Sequence, residues 1–226
     1  MIQVLLVEDD IEIARTIRYY LAMEERYETV WVQNVEEAIE RAYGAFDAIL
    51  LDVMLPDGDG VSLCTKLREL HGCPIIFISC LDDSETIVSA LGQGGDDYIV
   101  KPFDNRVLHA RIEANLRRAA MANEQPSNVT QEHAGFILNP TTQSLSFQNA
   151  EMQLPPIEYR LLSYLMLHHG RYFKSSELYR MLWGKDSYGD TRTVIVHMYN
   201  LRKKIEKNPA NPVHLINVRG KGYSFV

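Results

Sequence analysis

Ala48-Ile49-Leu50-Leu51 is an unbroken apolar run that stops on a carboxylate, Asp52. Pro56 and the glycines Gly58 and Gly60 then force the chain to turn. An apolar run of this length without alternation reads as a strand buried on both faces, the signature of a parallel sheet. Parallel strands need crossover connections, usually helices, so this stretch points the chain toward βαβ units. It also places Asp52 at the carboxyl edge of the sheet, where open α/β sheets bind ligands. A strand-end Asp can equally cap a loop or a helix, so the other strand ends decide what Asp52 is for.

The flanking sequence supplies those strands. Residues 2–7, 27–32, 74–79 and 98–100 read as strands alongside 48–51. Residues 11–23, 35–42, 61–70, 84–91 and 105–121 carry helical periodicity. Asn34 stands where a helix cap is wanted. Five βα units predict a doubly wound parallel sheet with right-handed crossovers. The strand ends then fall on one edge: Glu8, Asp9 and Asp10 after the first, Asp52 after the third, Ser79 closing the fourth, and Lys101-Pro102 after the fifth. Crowded carboxylates repel and call for a counter-charge. Hard oxygen donors suit Mg²⁺, which keeps several waters and often binds phosphate as well. A hydroxyl and a lysine opposite them complete a cradle for a phosphoryl group, whose transfer needs mainly position and charge neutralisation. In that cradle Asp52 is the nucleophile that forms an acyl phosphate.

Val7-Glu8-Asp9-Asp10, Leu51-Asp52-Val53-Met54-Leu55-Pro56-Asp57-Gly58, Ile78-Ser79 and Lys101-Pro102-Phe103 together resemble the receiver domain of two-component response regulators. The resemblance implies that a sensor histidine kinase phosphorylates Asp52. It implies Mg²⁺ held by Asp9, Asp52 and the Met54 backbone carbonyl, with Glu8 acting through water. Ser79 would bond a phosphoryl oxygen and Lys101 would pair with the phosphate, across a cis Lys101-Pro102 bond. Asp10 is expected to cap a helix rather than bind metal. Tyr98 takes the place of an aromatic that swings inward as the hydroxyl residue moves; a half-buried strand tyrosine is the plainer reading. Asp96-Asp97-Tyr98 with Arg111, Arg117 and Arg118 further resembles the dimer face of the OmpR/PhoB subfamily. Across a two-fold axis Asp97 would pair with Arg111 and Asp96 with Arg118. Ile87 and Val107 stand where that subfamily keeps a third ion pair, which predicts an apolar contact between copies. Such a contact would favour a homodimer even without phosphate, since exposed ion pairs contribute little.

The charge pattern divides the chain. Residues 1–120 hold 11 Lys/Arg against 22 Asp/Glu, and residues 121–226 hold 12 against 8. An acidic half joined to a mildly basic half points to two jobs, with nucleic acid a candidate partner for the second. Residues 122–131 are polar and aperiodic and read as a linker between a domain at 1–121 and another at 132–226. Strand-like pieces at 136–138, 144–147 and 152–154 follow, separated by turn residues. Pro156 opens a helix that Gly170 ends, and a second helix covers 177–183. A third covers 191–206, with Val194, Ile195, Met198, Leu201 and Ile205 as its apolar side. Arg192, Thr193, His197, Tyr199, Asn200, Arg202, Lys203 and Lys204 then form a face suited to a major groove. Residues 215–225 read as a hairpin with Arg219 and Lys221 at its tip, and an arginine so placed fits a narrow minor groove.

Leu154-Pro155, Glu158-Tyr159, Leu161-Leu162, Arg192-Thr193-Val194, His197 and Arg219-Gly220-Lys221-Gly222-Tyr223 resemble the winged-helix effector domain of the same subfamily. The expected fold is therefore an α/β receiver of five parallel strands followed by an α+β winged helix-turn-helix domain. The expected protein is a transcriptional regulator, not an enzyme, that dimerises on phosphorylation and binds direct repeats in promoter DNA. Tyr199-Asn200 replace basic residues common in the subfamily, so base preference does not transfer. The loop at 185–189 would meet RNA polymerase. Two other readings stay open: a constitutive dimer with an idle receiver, and an Asp-nucleophile phosphohydrolase. The latter usually needs an acid/base Asp where this chain has Met54. No apolar run reaches the roughly 18 residues of a membrane span, and no basic leader precedes Glu8. Three cysteines without metal or redox spacing fit the cytoplasm, with burial expected for Cys64, Cys73 and Cys80.

Overall fold

The computed structural model describes residues 1–124, 130–148, 150–183 and 191–226. The chain divides into two compact units, Met1–Ala119 and Ala120–Val226.

In the first unit β1 (Ile2–Val7), β2 (Tyr27–Val32), β3 (Ala48–Asp52), a short pair β4 (Met54–Leu55) and β5 (Gly58–Asp59), β6 (Ile75–Ser79) and β7 (Asp97–Val100) alternate with helices. These are α1 (Ile11–Ala22), α2 (Val35–Arg41), α3 (Gly60–Leu70), α4 (Ser84–Gly92) and α5 (Asn105–Glu124). The five long strands form one parallel sheet in the order β2-β1-β3-β6-β7. Every residue of β3 and β6 is buried, as a sheet covered by helices on both faces requires. Val4, Leu6, Ala14, Ile17, Leu50, Ile76, Ile78, Leu108 and Ile112 share one apolar core. Helix starts are capped by side chains, as the local sequence predicts. Asp10 accepts from the Glu12 and Ile13 amides at 2.9 and 3.1 Å, and Asn34 accepts from Glu37 at 2.8 Å. Glycine is required at Gly60, where α3 starts directly after β5: a Cβ there would sit 1.9 Å from the Asp52 carbonyl oxygen.

The second unit opens with an antiparallel meander, β8 (Gln131–His133), β9 (Phe136–Asn139), β10 (Ser144–Phe147) and β11 (Ala150–Gln153). Helices α6 (Pro156–Leu167), α7 (Ser175–Trp183) and α8 (Arg192–Ile205) follow, then the hairpin β12 (Leu215–Val218) and β13 (Gly222–Phe225). Leu161, Leu165, Leu178, Trp183, Val194, Met198, Leu201 and Phe225 pack in its core. The hairpin docks on the segment before α7 through Phe173 and Tyr223, whose amides and carbonyls exchange hydrogen bonds of 2.8 Å. A Cβ at Gly222 would lie 2.1 Å from the Phe173 carbonyl oxygen, so this docking needs glycine.

The structure departs from the sequence reading at the junction. Residues 122–124 continue α5 and Gln131 already belongs to β8, so the linker read at 122–131 is shorter. The third expected strand, at 152–154, lies at Ala150–Gln153. The loop at 185–189, expected to meet RNA polymerase, lies outside the described residues.

Candidate functional site

Adjacent parallel strands bring Asp52, Ser79 and Lys101 to one edge. Val7 pairs with Leu51, Asp52 with Ile78 and Ser79 with Val100 in the sheet register. Lys101 follows directly, its amide donating to the Ser79 carbonyl at 2.8 Å, and the Lys101-Pro102 bond is cis. Lys101 Nζ lies 2.6 Å from Asp52 Oδ2 and 2.7 Å from Glu8 Oε1. The other Asp52 oxygen accepts from the Met54 amide at 3.0 Å. Asp52 is only 6% exposed, and Glu8 is fully buried. Burial pushes the Glu8 carboxyl up to about 7, against the opposing pull of Lys101. Burial also works to lower the Lys101 ammonium, but its bonds to Asp52 and Glu8 prevail and hold it above the ordinary lysine value.

Glu8, Asp9 and Asp52 each place an oxygen within 4.8 Å of the others. Glu8 Oε2 is buried with no hydrogen-bond partner among the described residues. A buried carboxylate oxygen without a donor is costly, and a hard divalent cation at this cluster satisfies it. The donor set therefore fits such an ion.

Ser79 and Tyr98 meet at one residue. Ser79 Oγ accepts from the Leu81 amide at 3.2 Å, and the Tyr98 hydroxyl donates to the Leu81 carbonyl at 2.7 Å. Tyr98 is buried, not a half-exposed strand residue, and burial raises its phenol above the ordinary value. Leu81 was not legible as part of the site, because its role lies in its backbone.

On α8 the structure redraws the expected face. Arg192, Tyr199 and Lys203 point outward, and the wing tip exposes Arg219 and Lys221. Thr193, His197 and Asn200, expected on the same face, are buried. The reason is the side opposite: Glu158, in the first turn of α6, is fully buried and takes an ion pair from Lys204. His197 Nδ1 lies 3.9 Å from the same carboxylate, and its ring stacks near Trp183 with centroids 6.1 Å apart. Burial works to raise the Glu158 carboxyl, but His197 and Lys204 outweigh it and hold it below the ordinary range. Lys204 is thereby tied to the fold. Arg202 is tied as well: its Nε donates to the Leu215 carbonyl at 2.8 Å and its guanidinium lies over Tyr223. Ile195, read as apolar core, instead stands 48% exposed on the outer face.

Residues 4–113 match the response regulator receiver domain model, and residues 149–225 match that of the transcriptional regulatory protein C-terminal domain. The sensory transduction protein RegX3 of Mycobacterium tuberculosis is 37% identical over 225 residues, spanning 100% of this chain and 99% of that one. The chain belongs to the OmpR/PhoB-type response regulators. Transcriptional regulatory protein YvrH of Bacillus subtilis is 34% identical over 224 residues, covering 99% of this chain and 94% of that protein. Among solved structures, response regulator DrrB, a Thermotoga maritima OmpR/PhoB homolog, superposes with a TM-score of 0.52 at 26% identity, covering 100% of this chain and 99% of DrrB. The receiver implies a histidine kinase partner, and the C-terminal domain implies DNA. No described helix is long and apolar enough to cross a membrane.

In this response regulator the charges expected across a dimer axis are engaged within the single chain. Arg111 Nη1 lies 2.7 Å from Asp97 Oδ1, with both residues buried. Asp96 is held by Arg68 Nη2 at 2.5 Å and by the Ile75 amide at 2.9 Å, not by Arg118. Arg118 donates to Asn115 Oδ1. Arg68 also donates to the carbonyls of His71, Cys73 and Gly94, locking the end of α3 to the start of β6. Its role lies in loop carbonyls that spacing does not reveal. Ile87 is buried and Val107 half-buried, so neither stands out as a free apolar knob. Cys64 is buried while Cys73, expected to be buried, is only partly so, and desolvation pushes both thiols up to about 12. Cys80, expected to be buried, is exposed.

Proposed function

We propose that this protein is a phosphorylation-switched transcription factor of the cytoplasm, with Asp52 the phosphoacceptor of a sensor histidine kinase. The observation that carries the reading is the Asp52 carboxylate, buried at a strand end between Lys101 and the Glu8–Asp9 acidic pair. An Asp52 oxygen attacks the phosphorus of the kinase phosphohistidine, the P–N bond breaks, and its electron pair returns to the imidazole. The product is an acyl phosphate on Asp52. Glu8, Asp9, Asp52 and the Met54 carbonyl are the residues that would hold Mg²⁺. When bound, that ion neutralises charge developing on the phosphoryl oxygens. Lys101, already 2.6 Å from Asp52, is placed to pair with the phosphate. Ser79 turns from the Leu81 amide to a phosphoryl oxygen. That exchange alters the Leu81 backbone that Tyr98 also holds, and so carries the change to the face of α4, β7 and α5.

That face then pairs with a second copy, and two winged helices bind direct repeats spaced by about one turn of DNA. The phosphorylated state is favoured by its differential stability, a shift between populations of one molecule. Contact with RNA polymerase completes the proposed role. The phosphohydrolase alternative loses ground on geometry. Met54 offers no acid/base group, and its amide is already spent on Asp52. The idle-receiver alternative leaves the paired Asp52–Lys101–Glu8 arrangement without a use.

The test is the affinity of the full-length protein for selected DNA at one fixed salt concentration, before and after treatment with acetyl phosphate and Mg²⁺. Tighter binding after treatment, absent in Asp52→Asn, is the expected result. Equal affinity in both states rejects the switch and favours the idle receiver.

A further inference from the structure

The outward stripe of α8 has an unusual centre. Arg192, Ile195, Tyr199 and Lys203 follow one another at helical spacing, so they share one face. Ile195 is 48% exposed and Tyr199 44% exposed. The neutral groups on this helix able to read base edges by hydrogen bonding, Thr193, His197 and Asn200, are buried. Lys204 is held by Glu158, and Arg202 reaches back to Leu215. Lys203 lies over the Tyr199 ring, with Nζ 5.0 Å from its centroid, so cation and ring form one block. A helix that enters a major groove along this stripe meets the bases at its middle with a branched aliphatic side chain and an aromatic ring. The positive charges of Arg192 and Lys203 lie at its two ends, suited to the phosphates on either side.

We infer that Ile195, with Tyr199 beside it, is a specificity-determining residue that reads the C5-methyl groups of thymine in the major groove. Thymine alone among the bases offers an apolar group there, and an aliphatic side chain is its natural partner. A lone exposed isoleucine on a protein surface needs no explanation. Here it sits between cationic residues on the helix assigned to DNA, with Thr193, His197 and Asn200 turned inward. The inference rests on the DNA-binding reading of this domain. It predicts that preferred half-sites carry thymine opposite the middle of α8, and that removing the methyl weakens binding while all Watson–Crick hydrogen bonds stay intact.

The experiment begins by selecting sites for full-length protein from random-sequence DNA. Each thymine of the selected half-site is then replaced singly by deoxyuridine, and affinity is measured at fixed salt. One buried methyl group corresponds to about fourfold in affinity. Wild type should lose about that much at one or two positions, and Ile195→Ala should bind both DNAs equally there. Ile195 is exposed, so this variant should keep the wild-type melting temperature. Equal binding of thymine and uracil DNA by wild type overturns the inference. So does a uracil penalty that survives unchanged in Ile195→Ala. If wild type selects no sequence at all, the DNA-binding reading fails first, and the inference with it.

Discussion

Lys101 and Glu8 carry the most exposed consequences at the scale of single residues. Lys101 is the one cation that touches both Asp52 and Glu8 among the described residues. Lys101→Ala should lower the rate of Asp52 phosphorylation by about a hundredfold, the scale of losing one preorganised charge at a reacting oxyanion. Stopped-flow fluorescence or quench-flow with acetyl phosphate reads it, and a near-wild-type rate rejects the role. Glu8 gives a pH dependence. Its carboxyl rises from 4.5 to about 7 on folding, through burial above all. A raised acid favours the protonated fold, so Glu8's contribution to the stability of the cation-free protein is fully present below about pH 4.5 and is lost as pH climbs through about 7. A divalent cation needs the charged form, so Mg²⁺ affinity should fall as pH drops below about 7. Calorimetric titration at about pH 6 and about pH 8 tests this sign, and Glu8→Gln should flatten the difference. Asp9, Asp52, Ser79 and Lys101 were legible because each ends an apolar run, so the chain itself shows where the sheet edge lies. Leu81 and Arg68 were not: Leu81 acts through its backbone, and the Arg68 guanidinium gathers loop carbonyls and Asp96 from distant parts of the chain, which leaves no mark on local spacing.

At the scale of elements, α8 shows how far periodicity reaches. Val194, Ile195, Val196, Met198, Leu201 and Ile205 allow two rotational settings of the helix, and side-chain polarity favours placing His197 and Asn200 outside. Burial of Glu158 reverses that choice by drawing Lys204 to its carboxylate and His197 to its side of the helix. Removing a buried carboxylate from such a pair should destabilise the effector domain. Glu158→Ala is expected to cost about 3 kcal/mol, and Glu158→Gln less, because the amide still accepts from Lys204. Urea midpoints of the two variants give the comparison, and an unaltered midpoint for Glu158→Ala would show the pair to be idle. The edge strand β8 escaped the sequence for a different reason. Gln131-Glu132-His133 is short and polar, and it becomes a strand only because Ala134 and Gly135 turn back with positive φ of 52° and 81° and lay it on β9. The pairing is tertiary, so no local propensity announces it.

For the whole molecule, the charge division is the informative quantity. An acidic receiver half and a basic effector half confine phosphate attraction to the effector domain. Arg219 at the exposed wing tip should contribute one phosphate or minor-groove contact. Arg219→Ala should reduce the slope of log affinity against log salt by about one, read by fluorescence anisotropy over a salt series, and an unchanged slope removes the wing from the interface. The two-domain order was plain from strand ends and from the basic helix and hairpin. The expected dimer pairs were less so: Asp97 and Arg111, or Asp96 and Arg68, satisfy each other inside one chain, and sequence alone cannot tell an internal pair from one across an axis. The central claim is that Asp52 takes the phosphoryl group. Its most direct test is the intact mass of wild type and Asp52→Asn after acetyl phosphate and Mg²⁺. One added phosphoryl group on wild type and none on Asp52→Asn is the predicted result. The same adduct on both proteins, or none on either, would contradict it.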